Sequence, residues 1–490
     1  MMRCLQALLL MSAVSTGSAG VFTDDQASKV EMFVEEVMRC RQIPGLTLAV
    51  VKGDETWTRG FGQADIEQGV NVTKDTLFGI GSVTKAFTST LLAMMIDESN
   101  GSLTWTSKVK DVLGPDFAFV DEERTRETTL RDLLSHRTGL QPAVLPSFAG
   151  FDPNFTRTEF ANRFRFLPEV QPSVMSLNTT TGRTLCSAVL WKCCQENPTK
   201  QRWRNGSSNH CIHPEESAGA IATSAEDMAK WMHFLLRQGV TEDNVTLVNS
   251  KILAEVFNPH ESFTGGQPLS KPKYPVMDME YAYGYAWFIS TYKGYKKFMH
   301  GGNFHSYIAS LELYPDVHFG IFVSANGPGT KDEEIGEKLI SFYVSDILIG
   351  DQPWLNSSTA CTFPLPWDKW TPSGQNNSDV TNSDVKFPDC YVGKYGQRLF
   401  GDLEVKRGPG SSLELFYNRL RGSLNTTTDN STFKFDAWDP FRLFSRPGNA
   451  TVLVKVYFHG LNEGRYSKLD LIDPHNLTFT RGLDVYDKKV

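Results

Sequence analysis

Beyond its first twenty positions the 490-residue chain has no run of eighteen apolar residues, which excludes an ordinary membrane-spanning helix there. It has no long basic run either. With 49 Lys and Arg against 56 Asp and Glu the formal net charge is −7, and the pI near 5.9 argues against nucleic acid or an anionic membrane as partner. No internal repeat is visible, which speaks against a solenoid. The ten histidines and eight cysteines lack convincing metal-ligand spacing; His210-Cys211-Ile212-His213 comes nearest, so neither a metal nor another cofactor is expected. Tyrosine is missing from the whole first half. The first one is Tyr274, so no phenol upstream of it is available for proton transfer.

What is present suffices for two or three packed domains. Hydrophobic residues make up 40% and aromatics 12%, which excludes a disordered tail. Residues 1–20 read as a signal peptide: Met1-Met2-Arg3, an apolar stretch through Leu10 to Val14, then small residues from Ser15 to Gly20. Besides a sequon at Asn178, in a stretch that reads as anomalous, eleven Asn-x-Ser/Thr sequons support export to the extracellular space, at Asn71, Asn100, Asn154, Asn205, Asn244, Asn356, Asn376, Asn425, Asn430, Asn449 and Asn476. Cys4 leaves with the signal peptide, so an odd number of cysteines remains. Cys361 and Cys390 bracket the start of a later domain and are the candidate disulfide in an oxidising compartment.

Apolar positions Val30, Phe33, Val34, Val37 and Met38 follow a helical period within Gln26 to Arg41. Leu46 to Val51 and Thr56 to Phe61 flank Lys52-Gly53-Asp54 and predict a hairpin. Thr129 to Gly139 predicts a capped helix ending at glycine, and Ala222 to Leu236 another with Thr223 or Ser224 as N-cap. Tyr283 to Ile289, Lys297 to His300, Tyr307 to Tyr314 and Gly320 to Ser324 read as strands, closed by a helix over Glu334 to Ile349. Residues 351–385 are rich in Pro, Ser, Asn and Thr, which predicts a linker. Residues 386–490 carry short alternating runs and predict a small antiparallel β-domain.

The chemistry is carried by Ser82-Val-Thr-Lys85, set between the turn Gly79-Ile80-Gly81 and the apolar run Ala86 to Ile96. Serine and lysine three apart share one helix face, and a serine at neutral pH needs such a neighbour to become a nucleophile. Burial disfavours a lysine's charged form and fits it to act as base. Spacing alone is weak support: Ser290-Thr-Tyr-Lys293 shows the same pattern inside a predicted strand region.

Four stretches in order raise the specificity: Phe78-Gly-Ile-Gly-Ser-Val-Thr-Lys-Ala-Phe-Thr88, Thr129-Leu-Arg-Asp-Leu-Leu-Ser-His-Arg-Thr-Gly-Leu140, Ala222-Thr-Ser-Ala-Glu-Asp-Met-Ala-Lys-Trp231 and His300-Gly-Gly302. Over roughly Asp25 to Ile349 the chain resembles the serine β-lactamase and penicillin-binding-protein family, in its class C-like branch. The resemblance implies an α+β, β-lactamase/transpeptidase-like fold, an antiparallel sheet flanked by helices plus a helical subdomain, over residues 21–350. It implies Ser82 as acylated nucleophile, Lys85 as its base and His300 as a catalytic third-motif residue. The backbone amides of Ser82 and Asn303 would form the oxyanion hole, with Gly301 and Gly302 leaving room for substrate along the strand.

One part of the pattern is missing. The family's second motif, Tyr-x-Asn, occurs nowhere, and Ser207-Ser-Asn209 is a poor substitute beside Cys211. The stretch 173–211 is anomalous, with Cys186, Cys193, Cys194 and Cys211 crowded where the family has helices. Phe-Glu-Tyr-Asn-Asn, encoded TTT-GAA-TAC-AAC-AAC and read one base late, yields Leu-Asn-Thr-Thr-Thr, the sequence at Leu177 to Thr181. The stretch therefore reads as a frame-shifted Tyr-Asn-Asn motif. Two functions follow as expectations. One is a secreted hydrolase cleaving an ester or amide of a small-molecule or peptide substrate through an acyl-enzyme on Ser82. The other is a catalytically impaired extracellular glycoprotein meeting matrix components, resembling shell-matrix proteins of molluscs.

Overall fold

The computed structural model describes residues 20–140, 149–151, 155–167, 216–262, 278–304, 307–327, 335–363, 365, 384–429, 431–438, 454–473 and 475–483. The stretch 173–211, the signal-peptide reading of the first nineteen residues, and the sequons at Asn154, Asn205, Asn376, Asn430 and Asn449 lie outside them.

Helix α1 (Asp24–Arg41) starts at a capping box, with Thr23 and Gln26 exchanging side-chain and backbone bonds of 3.3 and 3.0 Å. It stops at Gln42, whose left-handed backbone (φ 55°) accepts the turn. The predicted hairpin follows as β1 (Gly45–Lys52) and β2 (Glu55–Asp65), joined through Gly53 at φ 59°. With β3 (Val70–Asn71), β6 (Glu261–Ser262), β7 (Asp278–Tyr283), β8 (Phe288–Tyr292), β9 (Tyr295–Phe304), β10 (Tyr307–Tyr314) and β11 (Phe319–Ala325) they form a nine-stranded antiparallel sheet. Its order is β3-β2-β1-β11-β10-β9-β8-β7-β6.

Side chains alternate across this sheet as the two-residue period of a strand requires. Leu46, Leu48 and Val50 of β1 and Ile321 and Val323 of β11 join a core against α1 and the helix Ile335–Ile349. Ala49, Val51 and Phe322 face the opposite core, shared with α2 (Thr84–Glu98) and the helix Ala225–Leu236. Two predicted elements differ in detail. Tyr283 to Ile289 is not one strand: Gly284 to Trp287 is a turn, closed by a 2.8 Å Gly284 N–H to Trp287 carbonyl bond. The predicted helix 129–139 spans only Leu130–Leu134, because His136 (φ 60°) leaves helical space before Gly139.

The C-terminal part is an eight-stranded closed barrel, β12 (Gly393–Gln397), β13 (Gly401–Arg407), β14 (Leu413–Tyr417), β15 (Leu420–Thr426), β16 (Thr432–Ala437), β17 (Lys455–Asn462), β18 (Arg465–Asp473) and β19 (His475–Arg481). Closure leaves no exposed sheet edge, and buried Tyr395, Tyr417, Phe433, Phe458 and Phe479 help fill its interior. The barrel seats on the helical side of the sheet domain. Arg419 N–H donates to the Ala149 carbonyl at 3.1 Å, Arg163 to the Arg398 carbonyl at 3.2 Å, and Phe151 approaches Phe400.

The candidate disulfide requires correction. Cys361 pairs with Cys40, not with Cys390, which is a free thiol. Ser357–Thr362, inside the stretch read as a linker, is a short helix packed on the end of α1, where Arg41 also donates to the Phe363 carbonyl at 2.8 Å. That packing brings cysteines 321 positions apart together and leaves the sequence neighbour Cys390 elsewhere.

Candidate active site

The turn that carries Ser82, the expected nucleophile, is built by backbone pairing. Two-residue strands β4 (Phe78–Gly79) and β5 (Ala222–Thr223) pair, and Ile80 N–H donates to the Ile221 carbonyl at 3.0 Å. Ala222 and Thr223 thus form a strand, and of the two expected N-caps, Thr223 and Ser224, it is Ser224 that caps the helix, which begins at Ala225. From β4 the chain enters a single 3₁₀ turn, Gly81–Val83, which carries Ser82 and leads straight into α2. Gly81 has φ 47°, and a Cβ there would stand 2.7 Å from the Asn303 nitrogen. Gly302 faces the turn from the other side. A Cβ at 302 would lie 1.9 Å from the Ile80 carbonyl oxygen and 3.2 Å from the Ser82 nitrogen. The two glycines therefore let β9 and the nucleophile turn meet backbone to backbone, with the amides of Ser82 and Asn303 brought together.

Lys85 completes the arrangement. Its side chain is buried at 5% exposure, and Nζ is hydrogen-bonded to Ser82 Oγ and, at 2.9 Å, to the Ala218 carbonyl. Ser82 itself is half-buried, so its hydroxyl is reachable. Ala218 had no signal in the sequence because it contributes only its carbonyl. Thr84 Oγ1 accepts from Ile221 N–H at 3.2 Å and anchors the same segment against α2.

Among the described strands, β9 parts from β8 just before the third motif. β8 pairs with β9 as far as Met299, opposite Phe288, while β10 continues along His300 to Phe304. His300 is 3% exposed, with Nδ1 2.5 Å from the Gly301 carbonyl and Nε2 3.3 Å from the Tyr283 hydroxyl. The reason for the two glycines also sharpens. Gly302 is dictated by its contact with Ile80, whereas a Cβ at Gly301 would meet nothing closer than the Ala309 carbonyl at 3.9 Å.

The stretch 129–140 acts as a support. Thr129 and Asp132 cap its helix, and Arg131 Nε donates to the Tyr285 hydroxyl at 3.1 Å. Burial pushes the Tyr285 hydroxyl up to about 12, so it stays a neutral partner. His260 stacks on Tyr285 at 3.9 Å, and burial holds its imidazole below the usual histidine range. Among the described residues one group of three potential metal ligands occurs, Glu36, Cys40 and Cys361, and its two sulfurs are joined in the disulfide. No described helix is long and apolar enough to cross a membrane. Of the described sequons, Asn71, Asn100, Asn244, Asn356 and Asn476 are exposed and Asn425 is half-buried.

The chain matches the Beta-lactamase family over residues 30–182. Over that segment it is similar to serine β-lactamases and penicillin-binding proteins. The Unguisins hydrolase ungD of Aspergillus violaceofuscus is 27% identical over 356 residues, 62% of this chain and 61% of that protein. Penicillin-binding protein 4 of Amycolatopsis lactamdurans is 39% identical over 98 residues, 20% of this chain and 25% of that protein. The chain thus spans about three fifths of the length of the first of these curated relatives. The octameric penicillin-binding protein homologue from Pyrococcus abyssi superposes with a TM-score of 0.54 at 17% identity, over 93% of this chain and all of that one, which shows the fold.

Proposed function

We propose that the protein is a serine hydrolase that cleaves an ester or amide through an acyl-enzyme on Ser82. The observation that carries this reading is the hydrogen bond between buried Lys85 Nζ and Ser82 Oγ at the head of α2. In the first step neutral Lys85 takes the Oγ proton, the Oγ–carbon bond forms and the carbonyl electrons move onto oxygen. The backbone amides of Ser82 and Asn303 are the proposed donors to that oxyanion, where one such donor contributes roughly 3 to 4 kcal/mol. The intermediate collapses, Lys85 returns the proton to the leaving group, and water releases the acyl group by the same steps. The Ala218 carbonyl orients the ammonium formed in between.

The substrate class is a neutral ester, amide or peptide. Family members with lysine in the third motif place a permanent cation there, and this chain has buried His300 instead. Hydrolysis named for the fungal relative supports bond cleavage of this kind without identifying the substrate. Export is proposed as well, supported by the N-terminal apolar segment, the exposed sequons and the Cys40–Cys361 bridge.

Labelling with a fluorophosphonate, read by intact mass, tests the assignment: the full chain should gain one adduct and Ser82→Ala none. One specific observation favours the second reading, an extracellular matrix glycoprotein that keeps the fold without turnover, namely the absence of Tyr-x-Asn. An unlabelled wild-type chain would put that reading first. Transcript sequencing across residues 173–211 decides whether the missing motif is a shifted frame, and peptides bearing Cys193 and Cys194 would exclude the shift.

A further inference from the structure

A buried hydrogen-bonded chain runs behind the third motif. His136, in the turn after the helix Leu130–Leu134, has Nε2 3.3 Å from the Tyr283 hydroxyl, which is itself 3.3 Å from His300 Nε2. The three residues come from three separate places in the fold and are 2%, 0% and 3% exposed. His300 Nδ1 stands 2.5 Å from the Gly301 carbonyl oxygen. A carbonyl only accepts, so Nδ1 carries the proton, and in a neutral imidazole Nε2 is then an acceptor. Tyr283 must donate to it. The phenolic oxygen in turn accepts from His136 Nε2–H, which gives every proton of the chain one direction.

The position of this chain matters because of what β9 lacks. Past Met299 its outer edge has no β8 partner, yet this is where Gly302 must hold its contact with Ile80 beside Ser82. Tyr283 stands at the end of β7, opposite Phe288, and reaches past β8 to His300. His136 adopts φ 60°, a costly backbone state for a residue with a side chain, and that side chain ends on Tyr283.

We infer that Tyr283, oriented by His136, is a positioning residue that fixes the tautomer and orientation of His300, and through His300 the Gly301–Gly302 backbone against the nucleophile turn. The role rests on Ser82 being the acylated residue, as proposed above.

Long-range proton–nitrogen correlation on histidine-labelled full chain reads the tautomer directly, and the rate of fluorophosphonate labelling reads the consequence. His300 should be neutral and protonated on Nδ1 in the wild type. Tyr283→Phe removes the donor while keeping the ring, and should shift the His300 nitrogens and lower the limiting labelling rate about tenfold, with half-saturation unchanged. His136→Leu should do the same. His136→Gln keeps an N–H toward the phenol and should restore both readouts. A side chain that only fills space would lower the melting temperature and leave tautomer and limiting rate alone. Should Tyr283→Phe melt below the assay temperature, the Gln and Leu pair at 136 carries the test.

An Nε2-protonated or cationic His300 in the wild type overturns the inference, as does an unchanged limiting rate in Tyr283→Phe, or a Gln variant no better than Leu. A wild-type chain that never labels overturns the hydrolase reading and with it the role toward Ser82, while His300 nitrogens that still move with Tyr283→Phe support the Tyr283–His300 hydrogen bond and its tautomer.

Discussion

Gly302 lies directly under Ile80: a single added carbon at 302 would sit 1.9 Å from the Ile80 carbonyl oxygen. The distance is well inside van der Waals contact, and both partners are backbone, so neither can move aside as a side chain would. Gly302→Ala should push β9 away from the nucleophile turn, cost about 1–3 kcal/mol in urea unfolding, and abolish Ser82 labelling. Gly301→Ala, with 3.9 Å of room, should leave labelling within about threefold. Equal behaviour of the two variants would refute the backbone-contact account.

Lys85→Met keeps an unbranched, buried side chain while removing the amine bonded to Ser82 Oγ. The rate of fluorophosphonate labelling should fall by about 10²–10⁴-fold with little change in melting temperature. A labelling rate that survives would assign the base elsewhere.

The bridge between Cys40 and Cys361 closes a separation of 321 residues. Cys361→Ser should destabilise the chain by about 2–5 kcal/mol in urea unfolding, and Cys390→Ser by no more than about 0.5 kcal/mol. Peptide mapping without reduction checks the pairing, and a Cys361–Cys390 peptide would contradict it.

Burial holds two imidazoles, His233 and His260, below the ordinary histidine range. His233 bonds Thr56 Oγ1 at 2.8 Å and is faced by Asp54, Glu242 and Arg237. Between the ordinary pKa of about 6.5 and the depressed folded value, the unfolded chain takes up protons that the folded chain refuses. Stability should therefore be complete above about pH 7 and decline as pH falls through about 6.5. The urea midpoint measured across that range checks the decline, and His233→Gln should flatten part of it. A midpoint that rises on acidification would have the sign wrong.

Local signals were the legible ones. The apolar period from Val30 to Met38, Gly53 between two strand runs, and Ser82 three residues before Lys85 are set by neighbours within a few positions, and the structure contains each of them. Closure of the C-terminal strands into a barrel was not legible. Alternation marks which face of a strand is buried, while closure depends on β12 finding β19 at the far end of the domain.

The sequence by itself determined the spacing of Ser82 and Lys85, the resemblance to serine β-lactamases and the absence of a Tyr-x-Asn motif, because those follow from residue identity and short spacing. Only the tertiary structure decided why position 302 must be glycine, which cysteine Cys361 meets, that Ala218 holds Lys85, and that Tyr283 joins His136 to His300. Those relations join residues far apart in sequence through backbone atoms or buried hydroxyls. Packing brings such groups together, and no local pattern encodes it.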